Sequence, residues 1–565
     1  MPERTWDEEC DVLIVGSGAG GLTAAVAAAD LHARVILIEK GRNFGGTSAT
    51  SGAVLWVPDS HLAEAAGQQD DPVDAVRYIK AIAGDESDDI LIRAFVENGR
   101  EMLSYMSHHS DVEYVSIPYP DYQPEAPGAR SGWRSHDVVP MDGRKLGKDL
   151  EYLEPPHPSN MLFGRFVWNT IDASMLVTRK PGWIGAMART LWRYYSDIGQ
   201  RLRSKRSRYL TGGNALIGRL KLSIDRRGIN IRRETALVEI IRDGAQVVGA
   251  VVERHGRKSA IHVHKGLVLA TGGFERNATL RARYLPQSPN PDWSGSQSNN
   301  RGDALELAMS VGAATDRLDS AWWAPAVHVR GESRSRPLFF ERALPGSIIV
   351  NQAGDRYFNE AVDYHLAGRA MVENDRPGAG TSPSYILFDA GFKWRYPMGP
   401  VLPMMPLWMH SRAVRDLVFV ADDWGEMADR IGVDRDRLQA TITRFNDNAR
   451  QGRDPDFQRG ESLYNRIYGD PKITGNPNLL PLVKAPFYAL AIYPGDIGTN
   501  GGLVTDGNAN VLDTEGRPIG NLYATGNITA SAMGRSYPGG GATIGPAMTF
   551  GYLAARHAMG VNEPC

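Results

Sequence analysis

The stretch that decides the fold is Asp11-Val12-Leu13-Ile14-Val15-Gly16-Ser17-Gly18-Ala19-Gly20-Gly21, with an Ala-rich segment directly after it. Its apolar half predicts a buried parallel strand, and the Ala-rich segment predicts a helix. Gly16 would turn the chain, Gly18 would let the backbone approach a pyrophosphate, and Gly21 would let the helix pack closely on the strand. The N-terminus of that helix would then face the phosphates.

A second strand, Val35-Ile36-Leu37-Ile38, ends on Glu39, 23 residues beyond Gly16. A carboxylate at this distance can accept hydrogen bonds from ribose hydroxyls and disfavours a 2′-phosphate. Strand, glycines, helix, strand and acid in this order predict a bound adenine dinucleotide. A glycine-rich turn in an unrelated α/β fold is the weaker interpretation.

Three separate glycine-containing segments favour FAD over NAD. The small, polar and flexible stretch 40–52 could lie along an extended cofactor, and the triplets 270–272 and 524–526 each follow a predicted strand. One site assembled from distant segments is typical of FAD enzymes of the glutathione-reductase type. The predicted cofactor-binding residues are Gly16, Gly18, Ala19, Gly21, Glu39, Lys40, Gly46, Thr47, Ser48, Ser51, Gly52, Ala270, Thr271, Gly272, Gly526, Asn527 and Ile544. Because the loop from Phe44 to Gly52 has no histidine, we expect non-covalent FAD.

The other informative stretch is Tyr537-Pro538-Gly539-Gly540-Gly541, close to the C-terminus. A phenol and a backbone amide that converge on one carbonyl oxygen would stabilise an enolate. The following Gly545-Pro546 predicts a helix start with proline at the first position.

Composition sets the broad class of the protein. The 565 residues predict two or three domains, and the net charge of −2 argues against a nucleic-acid partner. The only cysteines are Cys10 and Cys565, which cannot form a disulfide framework. The acidic N-terminus lacks a signal-peptide core, no apolar run is long enough to span a bilayer, and no histidine spacing predicts a metal site. These features predict a cytoplasmic protein.

The chain resembles the succinate dehydrogenase/fumarate reductase flavoproteins, and within them it resembles the 3-ketosteroid Δ1-dehydrogenases most closely. The resemblance runs from about Cys10 to Ala558. It rests on the tail signature and on the motifs Phe44–Ala49, Tyr119–Tyr122, Ala321–Pro325, Phe358–Tyr364 and Asp496–Gly502. It implies an α/β fold in which a Rossmann-like FAD-binding domain of the glutathione-reductase type is interrupted by an α+β catalytic cap domain.

The resemblance also implies roles for individual residues. Tyr364 would remove a proton next to the ketone, and Tyr537 and the Gly541 amide would hold the ketone oxygen. Tyr122 would assist the base, with Tyr119 as the competing choice. Trp322, Trp323 and Tyr119 would contact the substrate. Without the resemblance, Tyr364 is better interpreted as a half-buried packing residue. Trp322 and Trp323 could belong to the core, but adjacent indoles in a predicted loop suit a flat apolar ligand.

We predict five segments along the chain. Residues 1–144, 210–300 and 480–565 would form the FAD-binding domain, and 301–479 would form the catalytic domain. Residues 145–209 would be a basic amphipathic insertion. From Trp183 to Tyr209 the pattern predicts one helix with a single apolar face, formed by Ile184, Met187, Leu191, Tyr195, Ile198 and Leu202.

Nine Lys or Arg residues against the single acid Asp197 lie between Arg179 and Arg208. A helix of this composition can lie on an anionic membrane surface, so 180–208 predicts peripheral contact with the inner face of the cell membrane. A surface helix that covers the core and an oligomer contact are the alternatives.

The leading hypothesis is FAD-dependent 1,2-desaturation of a 3-ketosteroid, with electrons passed to a quinone-like carrier. A 3-oxo-5α-steroid 4-dehydrogenase uses the same logic on other carbons and remains open. A fumarate-reductase-like enzyme would need Arg and His clamps for a dicarboxylate, whereas the tail here offers a phenol and glycines. A catalytically silent flavoprotein that carries lipids is a fourth possibility.

Overall fold

The computed structural model describes residues 5–86, 88–178 and 180–561. The predictions that involve Met1 to Arg4, Arg179 and Cys565 lie outside these residues. The α-helices of the described chain, numbered α1 to α18, are Ala19–Asp30, Gly46–Thr50, His61–Ala65, Pro72–Ala83, Asp89–His109, Thr170–Thr178, Trp183–Ser196, Ile198–Arg201, Gly212–Arg226, Ala278–Tyr284, Asp303–Ser310, Tyr364–Glu373, Ala390–Arg395, Arg412–Arg415, Trp424–Ile431, Arg435–Arg450, Leu463–Ile467 and Ile544–Ala558.

The strands of the same residues, numbered β1 to β23, are Glu8–Val15, Val35–Ile38, Leu55–Trp56, Tyr114–Ser116, Ser135–Val138, Met141–Asp142, Met161–Leu162, Phe166–Val167, Tyr209–Leu210, Ile231–Arg232, Thr235–Asp243, Gln246–Arg254, Arg257–Leu269, Thr315–Asp316, Ala321–Val327, Arg336–Pro337, Ser347–Val350, Ser384–Asp389, Val418–Ala421, Phe487–Thr499, Gly502–Leu503, Asn510–Leu512 and Pro518–Ala524.

The larger sheet has the order β10-β2-β1-β13-β12-β23-β22, with β11 paired to β12 and β13 also paired to β23. Strands β2, β1, β13 and β23 run parallel, as the first strand and glycine loop predict. Along β1, Val12 and Ile14 pack into one hydrophobic cluster, whereas Leu13 and Val15 pack into another. The strand is therefore buried on both faces, which explains its unbroken apolar run.

A second sheet has the order β16-β15-β20-β18-β17, with β19 paired to β20, and its pairings are antiparallel. Its central strand β20 lies within the segment 480–565 that we predict as FAD-binding. The described chain thus combines a largely parallel sheet, an antiparallel sheet and helices, while the boundaries of the five predicted segments stay a prediction.

The predicted helix over 183–209 is wrong in its extent. The helix breaks at Asp197, where φ is −83° and ψ is 62°. The segment ends in the strand β9 instead of in a helix. Asp197 accepts a hydrogen bond of 2.7 Å from the Nε of Arg208, and the Tyr194 hydroxyl donates to the Lys205 carbonyl oxygen at 2.8 Å. These bonds hold the 203–208 segment folded back against α7.

Among the described residues, no helix combines the length and the hydropathy that crossing a bilayer requires.

Candidate active site

The glycine loop after β1 is shaped for a dinucleotide. Gly16 has a φ of +106°, and a Cβ there would lie 2.3 Å from the carbonyl oxygen of Ala270. A Cβ on Gly18 would have its nearest neighbour, the Oγ of Ser48, at 3.4 Å. The backbone is therefore tightly packed at the turn, whereas at the second glycine, where a pyrophosphate must approach, the nearest atom is at an ordinary contact distance.

The carboxylate of Glu39 is fixed beside this loop. One oxygen accepts from the backbone N–H and the hydroxyl of Ser17 at 3.2 and 2.6 Å, and the other accepts from the Gly41 N–H at 2.8 Å. Burial raises the pKa of Glu39, and the Ser17 and Gly41 hydrogen bonds oppose that rise. A carboxylate held in this way can accept from ribose hydroxyls.

The three glycine-containing segments meet at one edge of the sheet. Val15, Leu269 and Ala524 are in register at the carboxyl ends of β1, β13 and β23. The chain therefore delivers the 270–272 triplet, Gly526 and Asn527 next to the glycine loop, although more than 250 residues separate the first strand from the last. This edge is where ligands bind in open α/β sheets.

The stretch 40–52, which we predict to be flexible, contains a regular element. Gly46 to Thr50 form the short helix α2. Within it the Ser48 Oγ accepts from the Ala19 N–H at 3.1 Å, and the Thr47 hydroxyl lies 2.8 Å from that of Ser296. The Ser51 hydroxyl donates to the Ser48 carbonyl oxygen at 2.8 Å, and a Cβ on Gly52 or on Gly46 would meet no atom within 4 Å. Lys40 is paired with Asp303 instead of lying along the loop.

Helix α18 begins at Ile544, so the predicted start with Pro546 at the first position is two residues late, and Pro546 is the third residue of the helix. Proline is tolerated there because the first four N–H groups of a helix have no partner within the helix. The glycine loop, the ribose acceptor, the converging strand ends and this helix start together fit an FAD molecule.

Three predicted catalytic tyrosines form one buried cluster. The ring centroids lie 5.3 Å apart for Tyr364 and Tyr537, 5.7 Å for Tyr122 and Tyr364, and 5.5 Å for Tyr122 and Tyr537. Tyr364 is the first residue of α12 and Tyr537 lies in the loop before α18. All three side chains are at most 8% exposed.

Burial raises the pKa of all three phenols, and their contacts with one another modify that rise. Burial raises the pKa of Tyr364 well above its ordinary value, Tyr537 raises it further, and a hydrogen bond with Tyr122 lowers it. Burial also raises the pKa of Tyr537, which hydrogen bonds with Tyr364 and Thr543 partly offset. A phenol with a raised pKa remains protonated and can donate to an oxygen.

Tyr119 has a different partner from Tyr122. Its hydroxyl lies 2.5 Å from the hydroxyl of Tyr468, and its ring centroid is 6.2 Å from that of Tyr122. No direct ring contact joins Tyr119 to Tyr364 among the described contacts, so the geometry favours Tyr122 as the phenol beside the predicted base.

The structure separates the two adjacent tryptophans. They lie on the strand β15 and not in the predicted loop, so their side chains point to opposite faces. Trp322 meets the Tyr537 ring at a centroid distance of 5.1 Å, and its indole N–H donates to the Asn527 side-chain oxygen at 3.4 Å. Trp323 packs into the hydrophobic cluster that includes Leu269, so the structure does not bring it to the tyrosines.

Gly541 lies against the strand that follows the cofactor segment. Its φ is +103°, and a Cβ there would lie 2.4 Å from the carbonyl oxygen of Val54. Its own carbonyl oxygen accepts from the N–H groups of Trp56 and Gly545, at 3.3 and 3.0 Å. Only glycine fits this position, four residues after Tyr537.

Comparison with known proteins identifies the family. A family model described as FAD binding domain matches residues 11–544. The chain is 38% identical to a 3-oxosteroid 1-dehydrogenase of Mycobacterium tuberculosis, over 97% of this chain and 98% of the relative. This chain belongs to the 3-oxosteroid 1-dehydrogenase family of FAD-dependent oxidoreductases.

Two further relatives show how broad the family is. A crystal structure of a 3-ketosteroid Δ1-dehydrogenase from Sterolibacterium denitrificans, in complex with 1,4-androstadiene-3,17-dione, superposes with a TM-score of 0.94 at 37% identity, and the alignment covers 98% of this chain and 100% of that one. A 4-oxocyclohexanecarboxylate 2-dehydrogenase of Sinomonas cyclohexanicum is 35% identical over 97% of this chain and 93% of the relative.

In this flavoprotein, His365 is a site residue that the sequence analysis missed. Its Nδ1 accepts from the Trp323 N–H at 3.2 Å, so its Nε2–H donates to the Arg535 carbonyl oxygen at 2.8 Å. Burial lowers the pKa of His365 to about 4, so the ring is neutral at physiological pH. The imidazole thus joins α12, β15 and the Tyr537 loop. Its position directly after the predicted base was the available signal.

Tyr464 and Asp363 were missed as well. The Tyr464 ring lies 4.9 Å from that of Tyr122, and the spacing of four between Tyr464 and Tyr468 on a helix was the signal. Asp363 accepts from the N–H groups of His365 and Leu366 and so fixes the start of α12. Burial raises the pKa of Asp363 to about 6.

Proposed function

We propose that this enzyme introduces a double bond between C1 and C2 of a 3-ketosteroid. The observation that carries the proposal is the buried cluster of Tyr122, Tyr364 and Tyr537, which Trp322 links to Asn527 at the cofactor edge of the sheet. Relatives that align over nearly the whole chain are named for the same activity.

In the proposed mechanism, the Tyr537 hydroxyl and the Gly541 amide hold the C3 ketone. A proton next to a ketone leaves only if the negative charge that develops on the oxygen is stabilised. One preorganised donor in a site without water contributes roughly 3–4 kcal/mol to this stabilisation. The burial that keeps Tyr537 protonated suits it to this task.

Tyr364 then takes the proton from C2. The raised pKa of Tyr364 opposes its ionisation. The hydrogen bond with Tyr122 lowers that pKa and so helps Tyr364 to act as a base. Bound FAD supplies a hydride acceptor for C1. The substrate thus loses one proton and one hydride, which together leave a C1–C2 double bond, and an external quinone-like carrier would remove the electrons.

A 4-dehydrogenase is the second candidate, since the same donors could serve a ring displaced by one bond. The 4-oxocyclohexanecarboxylate relative is named for oxidation next to a ring ketone. In this proposal, Tyr537 and Gly541 hold the ketone in one position. The rest of the ring system then decides which bond lies beside Tyr364.

The test is anaerobic reduction of the purified holoenzyme. We expect 4-androstene-3,17-dione alone to bleach the flavin absorbance, with 1,4-androstadiene-3,17-dione as the product. The 5α-reduced 3-ketone tests the alternative, because a 4-dehydrogenase would convert it to the Δ4-ketone. If neither ketosteroid bleaches the flavin, the proposal is wrong.

We also propose that residues 180–208 contact an anionic membrane surface. The side chains of the predicted apolar face point to solvent, because Ile184 is 66%, Tyr195 54%, Ile198 67% and Leu202 83% exposed. The buried side of α7 is instead Ala186 and Tyr194. A surface helix that covers the core would show the reverse arrangement.

Charge favours lipid as the occupant of this surface. The described part of 180–208 has eight Lys or Arg residues and the single acid Asp197, which is already paired with Arg208. Trp192 is 75% exposed within the same segment, and tryptophan is common at the level of lipid headgroups. An apolar face with basic flanks lies stably in an anionic interface.

Liposome sedimentation tests this contact. We expect the enzyme to sediment with vesicles that contain phosphatidylglycerol, and the double variant Ile198→Asp/Leu202→Asp to remain in the supernatant. The matched control is Val73→Asp/Ile90→Asp, which changes two residues of similar exposure, 62% and 68%, on other helices. Equal sedimentation of both double variants would contradict the proposal.

A further inference from the structure

Two histidines and a glutamate meet on the outer part of the large sheet, far from the tyrosine cluster. Glu9 on β1 is the register partner of His262 on β13. His264 is two residues further along the same strand, so both imidazoles lie on one face of the sheet. The ligand atoms of the three side chains all lie within 4.8 Å of one another.

The contacts around these groups orient them toward a common point. The Glu9 carboxylate oxygen Oε2 is 3.2 Å from the Nε2 of His264, while Oε1 accepts from the Arg34 guanidinium at 2.8 Å. The His262 and His264 ring centroids are 4.4 Å apart, and the Trp6 indole stacks on His262 at 4.8 Å with an interplanar angle of 14°. Arg34 therefore holds one oxygen and leaves the other for a ligand, and Trp6 restrains one ring.

We propose that Glu9, His262 and His264 bind a zinc ion. Two imidazole nitrogens and one carboxylate oxygen are a donor set that Zn²⁺ prefers, and a water molecule would complete a four-coordinate site. The side chains of His264 and Glu9 are 34% and 55% exposed, so an ion can reach them from solvent. The ion would replace the hydrogen bond between Glu9 and His264 and tie β1 to β13.

This site is separate from the redox centre. Glu9 lies six residues before Val15, about 20 Å along an extended strand from the glycine loop. Histidine spacing could not predict this site, because one ligand lies about 250 residues from the other two and the register of two parallel strands brings them together. We expect the ion to stabilise the folded chain without changing turnover.

Isothermal titration of the EDTA-treated holoenzyme with ZnCl₂ tests the proposal. We expect one saturable site, a higher Tm with zinc, and an unchanged kcat. His264→Ala and Glu9→Gln should each abolish the saturable binding, with the flavin spectrum as the check on folding. The control His255→Asn changes an exposed histidine of the β12–β13 turn and should bind zinc like the unmodified enzyme.

Cobalt provides a second readout of the same site. Co²⁺ bound by two imidazoles and a carboxylate should give a visible absorption band that disappears in His264→Ala. Zinc binding of equal strength in the unmodified enzyme and in both ligand variants would overturn the proposal. So would the absence of saturable zinc binding to the unmodified enzyme.

Discussion

The Tyr537 hydroxyl is the most sensitive single group of the proposed chemistry. The side chain is 3% exposed, and its ring contacts Tyr122, Tyr364 and Trp322. Removal of the hydroxyl keeps the ring in place and takes away one donor to the ketone. We expect Tyr537→Phe to lower kcat about 10²–10³-fold, since that is the usual cost of one oxyanion donor. Stopped-flow flavin reduction would measure it, and full activity in a variant with bound FAD would contradict the role.

Tyr122 and Tyr119 can be distinguished by the pH dependence of the reaction. The hydrogen bond with Tyr122 lowers the pKa of Tyr364, and a base is active only when it is deprotonated. Tyr122→Phe should therefore raise the apparent pKa of the base and move the rise in kcat to higher pH. Tyr119→Phe should move that rise much less, because the hydroxyl of Tyr119 interacts with Tyr468, Tyr464 and Tyr122, whereas Tyr122 acts on Tyr364 directly. The opposite pattern would assign the assisting role to Tyr119.

At the scale of elements, the turn between β1 and α1 is the point where the fold depends on glycine. Gly16 combines a φ of +106° with a Cβ position 2.3 Å from the Ala270 carbonyl oxygen. We expect Gly16→Ala to lose FAD and to lower the free energy of unfolding by about 1–3 kcal/mol or more, since strain and a backbone clash add.

The matched control for Gly16 is Gly67→Ala. Gly67 has a φ of +75°, but a Cβ there would meet no atom within 4 Å. Strain alone should cost about 1–2 kcal/mol, with FAD retained. Absorbance at the flavin maximum and urea unfolding measure the two effects. If Gly16→Ala keeps its FAD, the close approach of the two strand ends is not required for binding.

At the scale of the whole molecule, a buried ion network joins residues 356–360 to residues 454–459, about 100 positions further along the chain. Glu360 binds Arg356 at 2.7 Å and Arg459 at 3.1 Å, and Arg356 also binds Asp454 at 2.9 Å. Burial raises the pKa of Glu360, but the two arginines outweigh it and lower that pKa to about 2. Removal of one partner from such a network typically costs 3–5 kcal/mol, because it leaves a buried charge unpaired.

The sign of the pH dependence follows from the lowered pKa. The stabilisation by Glu360 is complete above its unfolded value of 4.5 and is lost as the pH falls toward about 2. We expect this group to account for about 3 kcal/mol of acid-induced destabilisation. Glu360→Gln should be less stable at neutral pH and should lose less stability toward pH 2. Urea unfolding at several pH values measures this, with Glu373→Gln as the control for an exposed ion pair. An unchanged acid limb in Glu360→Gln would contradict the assignment.

The sequence by itself determined the cofactor, the family and the first βαβ unit. These depend on local requirements, such as a turn that only glycine permits and an apolar run buried on both faces. It also placed the three tyrosines in one predicted site, though only through the resemblance. The predicted helix boundaries at 183–209 and at Pro546 were wrong, and contacts such as the Arg208–Asp197 hydrogen bond, between residues 11 positions apart, are not visible in a local pattern.

Only the tertiary structure decided which side chains face one another. It separated Trp322 from Trp323 because adjacent residues on a strand point to opposite faces. In the structure, Tyr122 and not Tyr119 is the neighbour of Tyr364. The apolar face of α7 is exposed to solvent. Glu9 lies close to two histidines. The Tyr122–Tyr364 contact and the Glu9–His262 pairing depend on strand register or on packing between segments about 250 residues apart, and a linear pattern contains neither.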